Sequence, residues 1–272
     1  MKLHTINYRL PIQLLICFIV GAISTTALAG DDEPLAVDAS VRNAVGPVGM
    51  SPPKFPLKRA QFRMELPLRP NAPTTEIDSL YEPLGNGLWG VMSTLKRPNG
   101  TGAQQLITVC GMFDALAATS TNLSTNLTGI MPIGKIFVPF GMKKSFAADS
   151  LARITKFDVD PVVLCQPVAG SSFDYAVQSE VQYSVSPGPA ASPKTTVVTL
   201  RGRCEASQRM PATGLLAGLR GDYIEVTCSS SNDTGRPLSR KLAYLVDSAF
   251  YLLLETKSDA TSFKYTLLNV EY

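Results

Sequence analysis

Apolar and polar residues alternate most regularly along residues 173–185. The odd positions carry Phe173, Tyr175, Val177, Val181, Tyr183 and Val185, whereas polar residues fill most of the even positions. Because successive side chains point to opposite faces of a strand, this period of two predicts a long strand with one dry and one wet face. An antiparallel sheet accommodates such a strand, since one of its faces can stay in water.

Shorter runs of the same kind, separated by Gly, Pro and Asn, predict strands through most of the chain. They cover residues 62–68, 88–95, 105–110, 136–140, 154–159, 195–200, 223–228 and 263–272. Two further segments, 113–119 and 145–153, favour minor helices. The predicted fold class is therefore all-β, mainly antiparallel, with β-sandwich-like modules and minor helix.

The segment from Leu238 to Leu254 fits two different structures. Leu238, Leu242 and Leu245 recur at the spacing of one helix face. The aromatic residues of this segment instead favour two strands that meet at Asp247-Ser248. We favour the strands.

The first 29 residues have the pattern of a cleaved secretory signal peptide. Lys2 and Arg9 form a basic start, an apolar run follows, and the segment ends in Ala27-Leu28-Ala29. The apolar run is shorter than the roughly 20 residues needed to span a bilayer. We therefore expect an exported mature protein, periplasmic or extracellular, with no transmembrane anchor.

Four cysteines remain after the expected cleavage: Cys110, Cys165, Cys204 and Cys228. In an oxidising compartment this even number predicts two disulfides, for which three connectivities are open. Pairing of sequence neighbours is favoured, Cys110 with Cys165 and Cys204 with Cys228, because the second cysteine of each pair ends an apolar run typical of a strand. No Cys-x-x-Cys pair indicates a metal site, and no cofactor is expected.

Prolines divide the mature chain into regions. Residues 30–86 carry nine of the twenty prolines, which disfavour long helices and central strands because proline lacks an N–H, so this region is expected to be an extended arm. A second Pro-rich stretch, 186–194, is expected to be a linker or a long loop. It separates a first β module, 87–185, from a second, 195–272, and the two either stand apart or pack as one domain.

Charge and the loss of imidazole limit the function of the mature chain. Removal of Lys2 and Arg9 lowers the formal net charge from +3 to about +1, which gives no support to nucleic-acid binding. The single histidine, His4, also leaves with the signal peptide. Mechanisms that need histidine as a base or as a metal ligand are then excluded, and a non-enzymatic protein is expected.

Carboxylates offer a remaining route to catalysis. Asp158 and Asp160 are the best local pair for glycoside hydrolysis, in which two acids flank the bond that breaks. Pro161 follows them, and an Asp-Pro sequence is typical of a turn. A carboxylate-dependent polysaccharide hydrolase is therefore the second hypothesis for this chain.

A basic and aromatic patch in the arm is the candidate binding site. It consists of Lys54, Lys58, Arg59, Phe62 and Arg63. Cationic and aromatic side chains together suit an anionic envelope polymer or a lipid surface. The alternating strand within the arm also suits strand addition to another protein. We expect the partner to be another envelope or surface protein, bound through this arm or through a sheet edge.

The leading hypothesis is an exported, non-enzymatic cell-envelope or secreted protein with a binding or structural role. A third hypothesis is a subunit of a surface fibre or adhesin. The segment from Phe263 to Tyr272 alternates, ends in tyrosine and resembles the closing strand of chaperone-assembled pilins. The resemblance is confined to these ten residues, which lack the glycine that the family carries near its end.

Overall fold

The structure of the protein is a computed structural model that describes residues 37–46, 52–67, 73–133, 136–186 and 194–272. For residues 123, 125–133, 136–146 and 185–186 it describes the backbone alone. The predicted signal peptide and residues 187–193 of the predicted linker lie outside these ranges.

Within the described ranges the chain forms twelve strands and two short α-helices. The helices are α1 (Ala39–Val45) and α2 (Pro161–Cys165). The strands are β1 (Arg59–Glu65), β2 (Thr75–Gly85), β3 (Leu88–Arg97), β4 (Gly100–Val109), β5 (Phe113–Ile133), β6 (Ile136–Asp158), β7 (Ser172–Ser186), β8 (Lys194–Pro211), β9 (Asp222–Asn232), β10 (Pro237–Leu245), β11 (Phe250–Ser258) and β12 (Ser262–Glu271).

The strands form a closed antiparallel barrel. Each strand pairs with the next along the chain, and β1 also pairs with β12, which closes the ring. The predicted all-β, mainly antiparallel class is confirmed. The prediction of sandwich-like modules is wrong, because β1 joins the last strand and so removes the open sheet edges that a sandwich keeps.

The region expected to be an extended arm supplies β1 and β2 to this barrel. Both edges of β1 are hydrogen-bonded, to β12 on one side and to β2 on the other. The prolines do not prevent this pairing, because Pro67 and Pro73 fall outside the two strands, and Pro83 lies at a register shift beside β3. Residues 59–65 are therefore part of the fold rather than a free segment.

The minor helices predicted at 113–119 and 145–153 are wrong, because both segments are strands. They lie in β5 and β6, which pair with each other and with β4 and β7. Alanine-rich sequence favours a helix locally, but two neighbouring strands satisfy the backbone here and override that preference.

The apolar run at Pro161–Cys165, expected to be a strand end, is helix α2. Asp160 caps it by accepting hydrogen bonds from the N–H groups of Val162 and Val163 at 2.9 and 3.4 Å. Proline follows the cap at the first helical position, where its missing N–H costs nothing. By contrast, the preferred strands within residues 238–254 are confirmed as β10 and β11, joined by a 3₁₀ turn at Val246–Ser248.

Consecutive residues of β9–β11 face two different hydrophobic cores. Ile224, Leu242 and Tyr251 belong to the first core, which β4–β8, α1 and α2 complete. Tyr223 and Leu245 belong to the second, which β1–β3 and β12 complete. Residues 223–224, 242–245 and 250–252 of β9–β11 therefore form an internal wall with apolar residues on both faces, and the run from Leu242 to Leu245 is buried at every position.

The turn between β4 and β5 crosses the ring to this wall. The carbonyl oxygen of Cys110 accepts a hydrogen bond from the N–H of Tyr251 at 2.8 Å, although their strands are not neighbours in the barrel. Gly111 has a φ of 81°, and a Cβ atom there would lie 2.6 Å from the Phe250 ring. Glycine meets both demands because it lacks a Cβ. This contact holds the β4–β5 turn against β11, at the boundary between the two cores.

Both predicted disulfides are present, with the favoured pairing Cys110–Cys165 and Cys204–Cys228. The first joins the crossing turn to α2, and the second joins β8 to β9. All four cysteines lie in the first core. The bridges therefore fasten the end of α2 and the adjacent strands around one hydrophobic interior.

Candidate interaction surfaces

The structure separates the members of the predicted basic and aromatic patch. Lys54, Lys58 and Arg63 are exposed, whereas Phe62 is buried in the second core. Arg59 is half-buried and engaged in ion pairs. Lys54, Lys58 and Arg63 are therefore exposed cations without the Phe62 ring beside them, and Nζ of Lys54 already lies 5.1 Å from the centroid of the Phe55 ring.

The guanidinium group of Arg59 binds Asp78 on the neighbouring strand in a bidentate arrangement. Its Nε and Nη2 atoms lie 2.8 and 2.6 Å from the two carboxylate oxygens, and Nη1 lies 3.6 Å from Glu271 on β12. The hydrogen bonds from Arg59 hold the pKa of Asp78 below its usual value. Arg59 is therefore matched to two carboxylates of its own barrel.

Beside this ion pair, the outer face of β1–β4 forms a groove of about 330 Å³. Leu80 and Met92 lie directly opposite each other on β2 and β3 and are 54% and 61% exposed. Large apolar side chains paired on a solvent-facing sheet surface can contribute to a contact with another molecule. This groove is the first candidate surface.

A second groove, of about 210 Å³, crosses the outer face of β9–β11. The Nζ atom of Lys241 lies 2.8 Å from a carboxylate oxygen of Glu225, and Glu255 is its direct partner across the ladder. The hydrogen bond to Glu225 raises the pKa of Lys241, and the charge of Glu255 adds to the effect. The second groove therefore holds a charged cluster in which Lys241 binds Glu225 and faces Glu255 across the ladder.

The two aspartates singled out in the sequence do not line either groove. Asp160 is used to cap α2, and Asp158 ends β6 with an exposed side chain. The Asp-Val-Asp-Pro sequence therefore ends a strand and caps a helix, and its two carboxylates line no groove of the described residues.

The β5–β6 hairpin extends beyond the rest of the barrel. Pairing of β5 with β4 ends at Leu123, and pairing of β6 with β7 begins at Ala147. Between these limits β5 and β6 continue through ten further residue pairs, from Ser124–Ser145 to Ile133–Ile136. We call residues 124–133 and 136–145 the ribbon. At about 3.4 Å per residue it is roughly 30 Å long.

The direction of the backbone groups in the ribbon follows from Ser124. Its N–H donates to the carbonyl oxygen of Asn99 at 2.8 Å, so it points away from β6. The ladder between β5 and β6 has no register shift from this point to its tip, and the direction alternates from residue to residue. The N–H groups of Asn126, Thr128 and Ile130 therefore also point away from β6, where the described residues supply no neighbouring strand.

Two prolines in the ribbon agree with this assignment. Pro132 lies opposite Phe137, and Pro139 lies opposite Ile130. Both positions belong to the set whose N–H would point outward, so the missing proline N–H removes no bond between β5 and β6.

The two edges of the ribbon differ in charge. Residues Ser124–Ile133 of β5 include no charged residue, whereas β6 carries Lys143 and Lys144. Lysine on a strand edge discourages the addition of a further strand. The edge of β5 is therefore the less protected of the two.

Only the β6 half of the ribbon was predicted from the sequence, and the β5 half was not. Residues 136–140 are correctly predicted as strand, but their partner was not assigned. The available signal was the pair of apolar stretches at 130–133 and 136–140, whose Gly-Lys spacer is typical of a two-residue hairpin connection.

No known protein family, curated protein or solved structure matches this chain. Among the described residues, no three His, Cys, Asp or Glu side chains come together in a group able to hold a metal ion. In the described part of the chain, neither helix has the length and apolar character needed to cross a membrane.

Proposed function

We propose that this chain is an exported, non-enzymatic binding protein of the cell envelope or of the secreted fraction, and that the ribbon is its binding element. The observation that carries the proposal is the length of ribbon backbone with no neighbouring strand on either side in the described part of the chain. An isolated two-stranded hairpin is marginally stable in water, and an open edge is a template for another strand. Strand addition by a partner would satisfy these backbone groups.

The composition of the ribbon supports the same proposal. Residues 129–133 and 136–142 include no polar or charged residue. Burial of an apolar stretch of this size against a partner lowers the free energy, because it removes apolar surface from water. Two disulfides support export, because such bridges persist in oxidising compartments.

Shortening the ribbon tests the proposal. Residues 126–143 are replaced by Asn-Gly, which joins Thr125 to Lys144, a hydrogen-bonded pair of the ladder, in a tight hairpin and keeps the ladder within the barrel. The mature protein and the variant are each used to capture partners from envelope extracts, and captured proteins are identified by mass spectrometry and rebound in purified form. We expect the shortened variant to unfold at the same temperature as the parent and to lose the purified partner.

Met92→Ser, on the exposed outer face of β3, is the matched control. It removes an apolar side chain from the first candidate surface and leaves the ribbon intact. If Met92→Ser loses the partner and the shortened variant retains it, the partner binds to the groove on β1–β4 and the proposed role of the ribbon is wrong.

The groove across β9–β11 favours a second candidate, a carboxylate-dependent polysaccharide hydrolase, because it places two glutamates on one face. Release of reducing ends from envelope polysaccharides by the mature protein, abolished by both Glu225→Gln and Glu255→Gln, would support it. Failure of the protein to cleave any of these polysaccharides removes this candidate.

A further inference from the structure

We propose that the partner at the β5 edge of the ribbon is a second copy of this chain, paired antiparallel through residues 126–132. This inference rests on the proposed function and names the occupant of the binding element. Three features of the ribbon support it: the directions of its backbone groups, its charges and its size.

The open edge of β5 is complementary to itself. Its free stretch runs from Asn126 to Pro132 and has Gly129 at its centre. Antiparallel pairing about Gly129 places the outward N–H of Thr128 against the outward carbonyl of Ile130 in the second copy, and the reverse. Asn126 meets Pro132 in the same way, so the residue without an N–H falls at the end of the new ladder and all three outward N–H groups of each copy find an acceptor.

The charges of the ribbon favour this orientation over a parallel one. Lys143 and Lys144 pair with Asn126 and Thr125, near the base of the ribbon. Antiparallel pairing about Gly129 sets the lysines of the two copies at opposite ends, roughly 20 Å apart along the strands. That separation exceeds the Debye length of about 8 Å at physiological salt. A parallel arrangement would place all four lysines at the same height.

The ribbon is large enough for a specific contact between two copies. Residues 126–132 of each copy form the new ladder, and the thirteen other residues of the ribbon, which has ten in each of its two strands, lie beside it; the contact therefore falls at the low end of specific interfaces, which involve about 20 to 30 residues per side. Because the same segment is used by both copies, the contact has twofold symmetry and closes at a dimer. The surface-fibre hypothesis would require a second, different contact.

A pair of proline substitutions tests the edge. Thr128→Pro removes an outward N–H from the centre of the β5 edge, and Gly141→Pro removes the outward N–H of the residue directly opposite on β6. Neither substitution removes a bond within the ribbon. In analytical ultracentrifugation of the full mature chain, we expect at least tenfold weaker dimerisation for Thr128→Pro and a change of less than twofold for Gly141→Pro.

A cysteine at the centre provides a measurement that does not depend on proline. Gly129 would face its own copy as a non-hydrogen-bonded pair, with Cα atoms about 4.5 Å apart, which suits a disulfide. Gly129→Cys should form a covalent dimer in a glutathione buffer, whereas Gly141→Cys should remain monomeric on a non-reducing gel.

The outcomes separate this inference from the proposed function. A parent protein that stays monomeric at all concentrations, with no covalent dimer from Gly129→Cys, overturns self-pairing. Loss of the dimer in Gly141→Pro but not in Thr128→Pro also overturns it. If the parent is monomeric while the shortened ribbon still loses a purified partner, the proposed function stands and its partner is a different molecule.

Discussion

The hydroxyl group of Tyr251 donates a hydrogen bond to the carbonyl oxygen of Leu164 at 2.8 Å and so ties the internal wall to the end of α2. Both residues are fully buried. Tyr251→Phe would leave the carbonyl, which has no partner within the helix, without a donor. We expect the free energy of unfolding in urea to fall by about 1–3 kcal/mol.

Tyr175→Phe is the matched control for this measurement. Tyr175 is buried in the same core, but its hydroxyl has no hydrogen-bond partner among the described residues. Removal of an unpaired buried hydroxyl should leave the free energy of unfolding unchanged or slightly increased. Equal losses in the two variants would show that the bond to Leu164 does not stabilise the fold.

Stability should fall steeply at alkaline pH. Burial raises the pKa of Tyr244 to about 12 and raises that of Tyr251 well above its usual value. In the unfolded chain a tyrosine ionises near pH 10, so above that pH the unfolded state holds fewer protons than the folded state and the free energy of unfolding decreases. Urea unfolding between pH 8 and pH 12 should show a shallower decline for Tyr251→Phe, and an identical slope would contradict this account.

Glycine at the crossing turn should be far more sensitive than glycine at an open turn. Gly111 and Gly85 both have positive φ, 81° and 93°, but a Cβ at position 85 would meet nothing within 4 Å. Gly85→Ala should therefore cost only the backbone strain, about 1–2 kcal/mol. Gly111→Ala adds overpacking against the Phe250 ring, a further cost of about 1–3 kcal/mol. Thermal unfolding of the two variants measures the difference, and equal losses would exclude the crowding.

Removal of the two disulfides should destabilise the protein to different extents. They close loops with sequence separations of 55 and 24 residues. In the chain-entropy model these loops correspond to about 4 and about 3.5 kcal/mol. The Cys110→Ser/Cys165→Ser protein should unfold at lower urea than the Cys204→Ser/Cys228→Ser protein, since it also frees the end of α2. The reverse order would contradict a stabilising role for the crossing turn.

Deletion of residues 30–75 should abolish folding. It removes β1, which closes the barrel, and α1, whose Val41 and Val45 are buried in the first core. Near-ultraviolet circular dichroism and cooperative thermal unfolding should both be lost. A folded monomer after this deletion would show that the barrel closes without its first strand.

Long alternating segments were predictable because their signal is local. The period of two along residues 173–185 follows from the opposite faces of one strand, and β7 indeed covers 172–186. The strands of residues 238–254 were harder to assign, because the wall is buried on both faces and its apolar run has no clear period. Only its aromatic content favoured strands over a helix.

The ribbon illustrates a different limit. Its tip has a recognisable hairpin spacing, but the edge of β5 is open because β4 ends its pairing at Leu123, and the edge of β6 is open because β7 pairs with it only from Ala147 onward. No pattern within residues 124–145 specifies where neighbouring strands stop. A binding element defined by missing neighbours therefore could not be derived from its own sequence.

The amino-acid sequence by itself determined the antiparallel β class and the presence of two disulfides, because alternation and cysteine number are properties of single segments and of composition. Tertiary structure decided that β1 pairs with β12, that β9–β11 separate two cores, and that Phe62 faces inward while Arg59 binds Asp78. These features depend on contacts between residues far apart in the chain. Their free energy comes from closing the ring and burying both faces of the wall, and neither event leaves a local period in the sequence.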